Sequence, residues 1–123
     1  MGKARLRILL VEDSAPVCNA LCELLGEIEG LEVSAITDGA MQARAAITRI
    51  RPDVIVLDLV LAEGSGLDVL RSEEWKDNRP FTVVFSGDCT GGIRTACKRL
   101  GASAVLDKAS EFHLLQAVLR DLI

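Results

Sequence analysis

The sequence predicts an α/β domain with a doubly wound parallel sheet. Three observations carry the prediction. Five short apolar runs read as strands, stripes of 3.6-residue period lie between them, and the connections are too short to hold further structure. The strand-like runs are mostly continuous rather than alternating, as expected of strands buried on both faces.

The first run is Leu6 to Val11. A helix follows, with Val17, Leu21, Leu24, Leu25 and Ile28 on one stripe, Ser14 as N-cap, Pro16 in the first turn and Gly30 as the stop. The second run, Leu31 to Ile36, mixes in polar residues and reads as an edge strand. Ala40, Ala43, Ile47 and Ile50 mark a second helix, capped by Asp38 and ended before Pro52. The third run is Val54 to Leu57, and a short third helix carries Leu67, Leu70 and Trp75. The fourth run, Thr82 to Phe85, leads to a helix with Ile93, Ala96, Cys97 and Leu100, stopped by Gly101. The fifth run is Ala104 to Leu106. Ser110 caps a fifth helix carrying Leu114, Leu115, Val118, Leu119 and Leu122. The expectation is one domain over residues 1–123, five strands and five helices, with no linker and no output domain.

Composition narrows the function. The chain has 123 residues, half of them hydrophobic and 26% charged, with 14 Lys plus Arg against 18 Asp plus Glu for a net charge of −4. That profile is of a globular domain large enough to need no staple. A mildly acidic chain is a poor non-specific ligand for nucleic acid or an anionic membrane. The apolar run from Ile8 to Val11 is too short for a signal peptide core, and no run is long enough to span a bilayer. Met1-Gly2 does not open a myristoylation signal, because Leu6 stands where Ser or Thr is required. Cys18, Cys22, Cys89 and Cys97 form no C-x-x-C pair and read as small thiols of the reducing cytoplasm. Trp75 reads as a packing residue, His113 as a surface or capping residue, and Arg44, Arg49 and Arg51 as a solvated helix face. There is no G-x-x-x-x-G-K-[ST] loop, and Gly64-Ser65-Gly66 lacks the placement of a dinucleotide loop.

The informative residues follow the strands. Glu12 and Asp13 come after the first, Asp58 after the third, Ser86 after the fourth, and Lys108 just past the fifth. Ligands of open parallel sheets bind at the carboxyl ends of strands, so these residues are expected to meet. Three clustered carboxylates repel unless a cation joins them, and an all-oxygen set suits Mg²⁺. Metal, hydroxyl and lysine together are equipment for holding a phosphoryl group, with Asp58 as a carboxylate nucleophile.

These residues resemble the receiver domain of two-component response regulators. The resemblance rests on Ile8-Leu9-Leu10-Val11-Glu12-Asp13, on Pro52-Asp53-Val54-Ile55-Val56-Leu57-Asp58-Leu59 and on Gly64-Ser65-Gly66-Leu67-Asp68-Val69-Leu70. It continues in Val84-Phe85-Ser86-Gly87 and in Gly101 through Lys108, and so covers nearly the whole chain. It implies a flavodoxin-like fold of five parallel strands and five helices. It implies that Asp58 accepts a phosphoryl group from a histidine kinase or phosphotransfer protein. Mg²⁺ is then held by Glu12, Asp13, Asp58 and the backbone carbonyl of Val60. Ser86 takes the switch hydroxyl position, Gly87 a position where bulk would block access, and Lys108 the place of the lysine that bonds a phosphoryl oxygen. A downstream protein effector is implied, with no direct contact to nucleic acid or membrane and no catalysis beyond the domain's own phosphorylation and slow dephosphorylation.

Three positions depart from the family pattern. Ala109 follows Lys108 in place of a proline, so the loop is either cis at a non-proline, at ~2.5–4 kcal/mol, or rearranged. Val105 stands where many members have the aromatic that moves with the switch hydroxyl. Ala62 replaces a proline in the loop after Asp58, which leaves that loop less restrained. Val60, with Asp88, flanks the place where water attacks the acyl phosphate; an apolar Val60 predicts slow dephosphorylation. Two other readings use the same residues. One is a receiver-like interaction module that is never phosphorylated. The other is a phosphatase of the haloacid-dehalogenase type, disfavoured because Val60 occupies the place of its acid.

Overall fold

The computed structural model describes residues 5–87 and 89–123. The Met1-Gly2 reading and the placing of Asp88 beside the site lie outside the described residues.

The elements follow in the order β1 (Leu6–Val11), α1 (Ala15–Gly26), β2 (Leu31–Thr37), α2 (Ala40–Ile50), β3 (Val54–Leu57), α3 (Gly66–Leu70), α4 (Glu73–Asn78), β4 (Phe81–Ser86), α5 (Gly91–Leu100), β5 (Ala104–Asp107) and α6 (Leu114–Arg120). The strands form one parallel sheet in the order β2-β1-β3-β4-β5, so β2 is indeed an edge strand. β3 is apolar throughout, and β1 is apolar from Ile8 to Val11, because their alternating side chains enter two cores. Leu9, Val11, Ile55 and Leu57 pack with Ala43 and Ile47 of α2, Val69, Trp75 and Cys97. Ile8, Leu10, Val54 and Val56 pack on the other face with Leu21 and Leu25 of α1 and Leu115 and Leu119 of α6. Each such side chain, fully buried, contributes roughly 1.5–3 kcal/mol of transfer free energy.

Local chemistry sets the helix boundaries, and four differ from expectation. The third helix is two, so there are six helices rather than five. Ser72 makes the break: its hydroxyl donates to Val69 O at 2.6 Å and accepts the Trp75 N–H at 3.2 Å, ending α3 and capping α4. The last helix starts at Leu114 rather than after Ser110, because Asp107 Oδ1 already accepts the Ala109 and Ser110 N–H groups and holds them in a turn. The N-cap of α2 is Gly39, not Asp38; Glu63 takes the free donors there, through its carbonyl on Ala40 N and its carboxylate on Met41 N. Helix α1 ends at Gly26, short of Gly30, while Ser14 caps its start as expected. Trp75 is a core residue, its indole N–H donating 2.9 Å to Thr82 Oγ1 and the Arg79 guanidinium lying over its ring. Arg44 is not merely solvated: it pairs with Glu74 at 3.1 Å. Among the described residues no peptide bond is cis, so Lys108–Ala109 is trans.

Candidate functional site

The strand order builds the site. β1 and β3 are neighbours, with Val11 beside Leu57, and the Asp58 N–H donates to Val11 O at 2.9 Å. The residues that follow both strands are therefore brought side by side, at the point where the sheet's winding reverses. β4 flanks β3 and β5 flanks β4, with Ser86 beside Asp107, which delivers Ser86 and Lys108 to the same edge.

Carboxylate oxygens of Glu12, Asp13 and Asp58 lie within 4.8 Å of one another. Glu12 and Asp58 are buried and Asp13 is exposed, so the cluster has a sheltered floor and one arm in solvent. Lys108 Nζ stands 2.7 Å from Glu12 Oε1 and 2.9 Å from Asp58 Oδ2. Ser86 Oγ donates 3.0 Å to Asp58 Oδ1, which also accepts the Val60 N–H at 3.2 Å. The Ser14 N–H donates to Glu12 Oε2 at 3.1 Å. Both oxygens of Asp58 are thus met by separate donors, Ser86 at the end of β4 and Lys108 just past β5.

Burial pushes the Glu12 carboxyl above its ordinary range, and the charge of Asp58 adds to the rise against the pull of Lys108 and Ser14 N–H. Burial works against the Lys108 ammonium, but its hydrogen bonds and charge pairing with Glu12 and Asp58 prevail and raise its pKa. Lys108 is therefore a fixed cation at the site. It offsets part of the charge of Glu12 and Asp58, and the remaining negative charge with oxygen-only donors fits a hard divalent cation such as Mg²⁺. The Val60 peptide lies over Asp58 through its N–H, while its side chain is 68% exposed and offers the site no polar group. A Cβ on Gly87 would meet nothing within 4 Å, so this residue borders open space. Val105 is buried in the core with Cys97 and Trp75.

Two features escape a reading from sequence. Gly66 lies against the strand end itself: a Cβ there would sit 2.4 Å from Asp58 O and 3.0 Å from Leu59 Cα, so only glycine permits this approach. Its place in Gly64-Ser65-Gly66 was the available signal. The other feature is Arg94, whose guanidinium donates to Cys89 O at 3.2 Å, to Val105 O at 2.7 Å and to Glu111. No local pattern pairs these residues.

The family model for the response regulator receiver domain matches residues 8–120, and the chain belongs to that family. It is 38% identical over 124 residues to a protein-glutamate methylesterase/protein-glutamine glutaminase of Cereibacter sphaeroides, covering 97% of this chain and 33% of that protein. A protein of the same description from Treponema denticola is 33% identical over 110 residues, covering 85% of this chain and 29% of its own length. The chain thus spans about a third of the length of the curated relatives it matches. Among solved structures it superposes on a LuxR-family two-component response regulator from an Aurantimonas species at a TM-score of 0.85, with 25% identity over 97% of this chain and 86% of that one. The response regulator domain of Thermotoga maritima CheB shares the fold at a TM-score of 0.83, with 20% identity over 96% of this chain and 92% of that one. The flavodoxin-like sheet and the two-component signalling role follow from membership. No helix among the described residues is long and apolar enough to cross a membrane.

Proposed function

We propose that this receiver domain takes a phosphoryl group onto Asp58 from the phosphohistidine of a histidine kinase or phosphotransfer protein, with Mg²⁺ held by Glu12, Asp13, Asp58 and the carbonyl of Val60. The observation that carries the reading is the placement of Ser86 Oγ and Lys108 Nζ on opposite oxygens of a buried Asp58, beside two further carboxylates. One Asp58 oxygen attacks phosphorus and forms the P–O bond of an acyl phosphate. The P–N bond of the donor breaks, and its electron pair leaves on the histidine nitrogen. Bound Mg²⁺ would supply charge stabilisation to the transferring phosphoryl oxygens. Lys108 holds a phosphoryl oxygen by a charge-assisted hydrogen bond, and Ser86 turns its hydroxyl from Asp58 toward another. Gly87 leaves the approach open.

The added charge, about −1.5 to −2, then alters a face read by a protein partner in the cytoplasm. The relatives' names favour a methylesterase-type output. Nothing in the net charge of −4 favours nucleic acid or membrane as a direct target. The test is mass spectrometry after incubation with Mg²⁺ and acetyl phosphate, where the P–O bond breaks and acetate leaves. Wild type is expected to gain about 80 Da and Asp58→Asn to gain nothing, and omission of Mg²⁺ should abolish the gain. An unmodified wild type would instead favour the interaction module. The decay of the same signal reads the phosphoryl lifetime. With Val60 unable to orient water, decay within seconds would contradict the slow hydrolysis expected here.

A further inference from the structure

The two loops that reach Asp58 from β4 and β5 are tied into a ring of hydrogen bonds. The Lys108 N–H donates to Ser86 O at 2.8 Å. Cys89, three residues beyond Ser86, donates its thiol to Ser86 O at 3.4 Å and offers its own carbonyl to Arg94 Nε at 3.2 Å. Arg94 reaches across from α5 to the Glu111 carboxylate, and the same Glu111 oxygen accepts the Asp107 N–H at 2.8 Å. Asp107 precedes Lys108, and the ring closes. A further Arg94 nitrogen donates 2.7 Å to Val105 O of β5. Three nitrogens of one planar fork are thus engaged on three separate segments, a task a lysine's single nitrogen cannot perform. The pair is also sheltered, with side-chain exposures of 35% for Arg94 and 28% for Glu111.

We propose that Arg94 is a positioning residue for phosphoryl transfer: paired with Glu111, it fixes the Lys108 loop against the Ser86 strand end and so sets where both donors stand around Asp58. The proposal rests on the phosphoacceptor reading of Asp58. Lys108 Nζ and Ser86 Oγ meet different Asp58 oxygens, so both loops must keep their places at once. Misplacement by about 1 Å lowers such a rate by up to ~100-fold. Arg94 itself touches neither Asp58 nor the phosphoryl group.

The experiment measures the maximal rate of Asp58 phosphorylation by acetyl phosphate, with Mg²⁺ affinity by calorimetry and thermal midpoints alongside. Arg94→Ala is expected to slow the maximal rate by roughly tenfold, with Mg²⁺ affinity within about twofold of wild type, since no cation ligand is moved. Arg94→Lys should recover only part of the loss, because it restores charge without the fork. Glu111→Gln should fall between wild type and Arg94→Ala, and it decides the matter if Arg94→Ala does not fold. A wild-type rate in Arg94→Ala, or in Glu111→Gln where that variant decides, overturns the proposal while leaving Asp58 as acceptor. A rate loss matched by an equal loss of Mg²⁺ affinity also overturns it. A wild type that takes no phosphoryl group ends both readings.

Discussion

The two sides of Asp58 are held by different forces. On the β3 side the loop to α3 has hydrogen bonds of its own at Glu63 and Ser65, but its closest constraint is shape. Gly66 rests its α-carbon against Asp58 O, and its N–H donates to Leu59 O at 3.0 Å. Gly64 has φ +69°, and a Cβ there would come 2.7 Å from Ala40 Cβ. On the β4–β5 side the loops are fixed by polar groups: Arg94, Glu111 and Asp107 exchange hydrogen bonds across three segments. Steric contact is short-ranged and nearly all-or-none, whereas a hydrogen bond can lengthen or change partner. The β3 side is therefore expected to tolerate substitution least, and the β4–β5 side to respond in smaller steps.

The sharpest way to break this contrast is Gly66→Ala. Its new methyl collides with backbone, which has no rotamer to escape into. A loss of about 2–3 kcal/mol is expected, read as a fall of about 10 °C in thermal midpoint. A midpoint within 2 °C of wild type would show that the anchor gives way. Glu111→Gln on the other side should act more gently and depend on pH. Arg94 and the Asp107 N–H hold the Glu111 carboxyl below its ordinary value, against the opposing effect of burial. A depressed folded-state pKa gives stability that is present above the unfolded value, near 4.3 for glutamate, and lost as pH falls through the folded one. The gap between wild type and Glu111→Gln in denaturant titrations should therefore be open at pH 7 and close in acid; a gap that widens in acid would contradict this. The smallest effect is expected from Arg44→Ala. Its exposed pair with Glu74 spans α2 and α4 away from Asp58, and should contribute under about 0.5 kcal/mol. A larger shift in denaturant midpoint would mean the pair braces the β3 side.

What could be read in advance follows from the range of the forces involved. Glu12, Asp13, Asp58, Ser86 and Lys108 stood out because each interrupts or follows an apolar run, and a parallel sheet has one edge for all such residues. The strands were legible for the same reason, since burial on both faces leaves no polar positions between Val54 and Leu57. The split at Ser72 was hidden because the stripe of Leu67, Leu70 and Trp75 continues across it, and only the Ser72 hydroxyl, serving two helices, breaks the backbone ladder. The late start of α6 was hidden because Ser110 is a good capping residue whose own N–H is already claimed by Asp107. Gly66 was visible as a glycine but not as a contact, because the atom it must avoid belongs to another element. Arg94 and Glu111 are joined only after α5, β5 and the following loop have packed, so their spacing carries no local mark.

Trp75, the chain's single tryptophan, gives this architecture a built-in reporter. Its indole is sealed against Thr82 at the start of β4 and would clash with any Cβ on Gly101, 2.8 Å away, just before β5. Those are the amino ends of the strands, and Asp58 lies beyond the carboxyl ends. Its fluorescence is therefore expected to report loss of the fold.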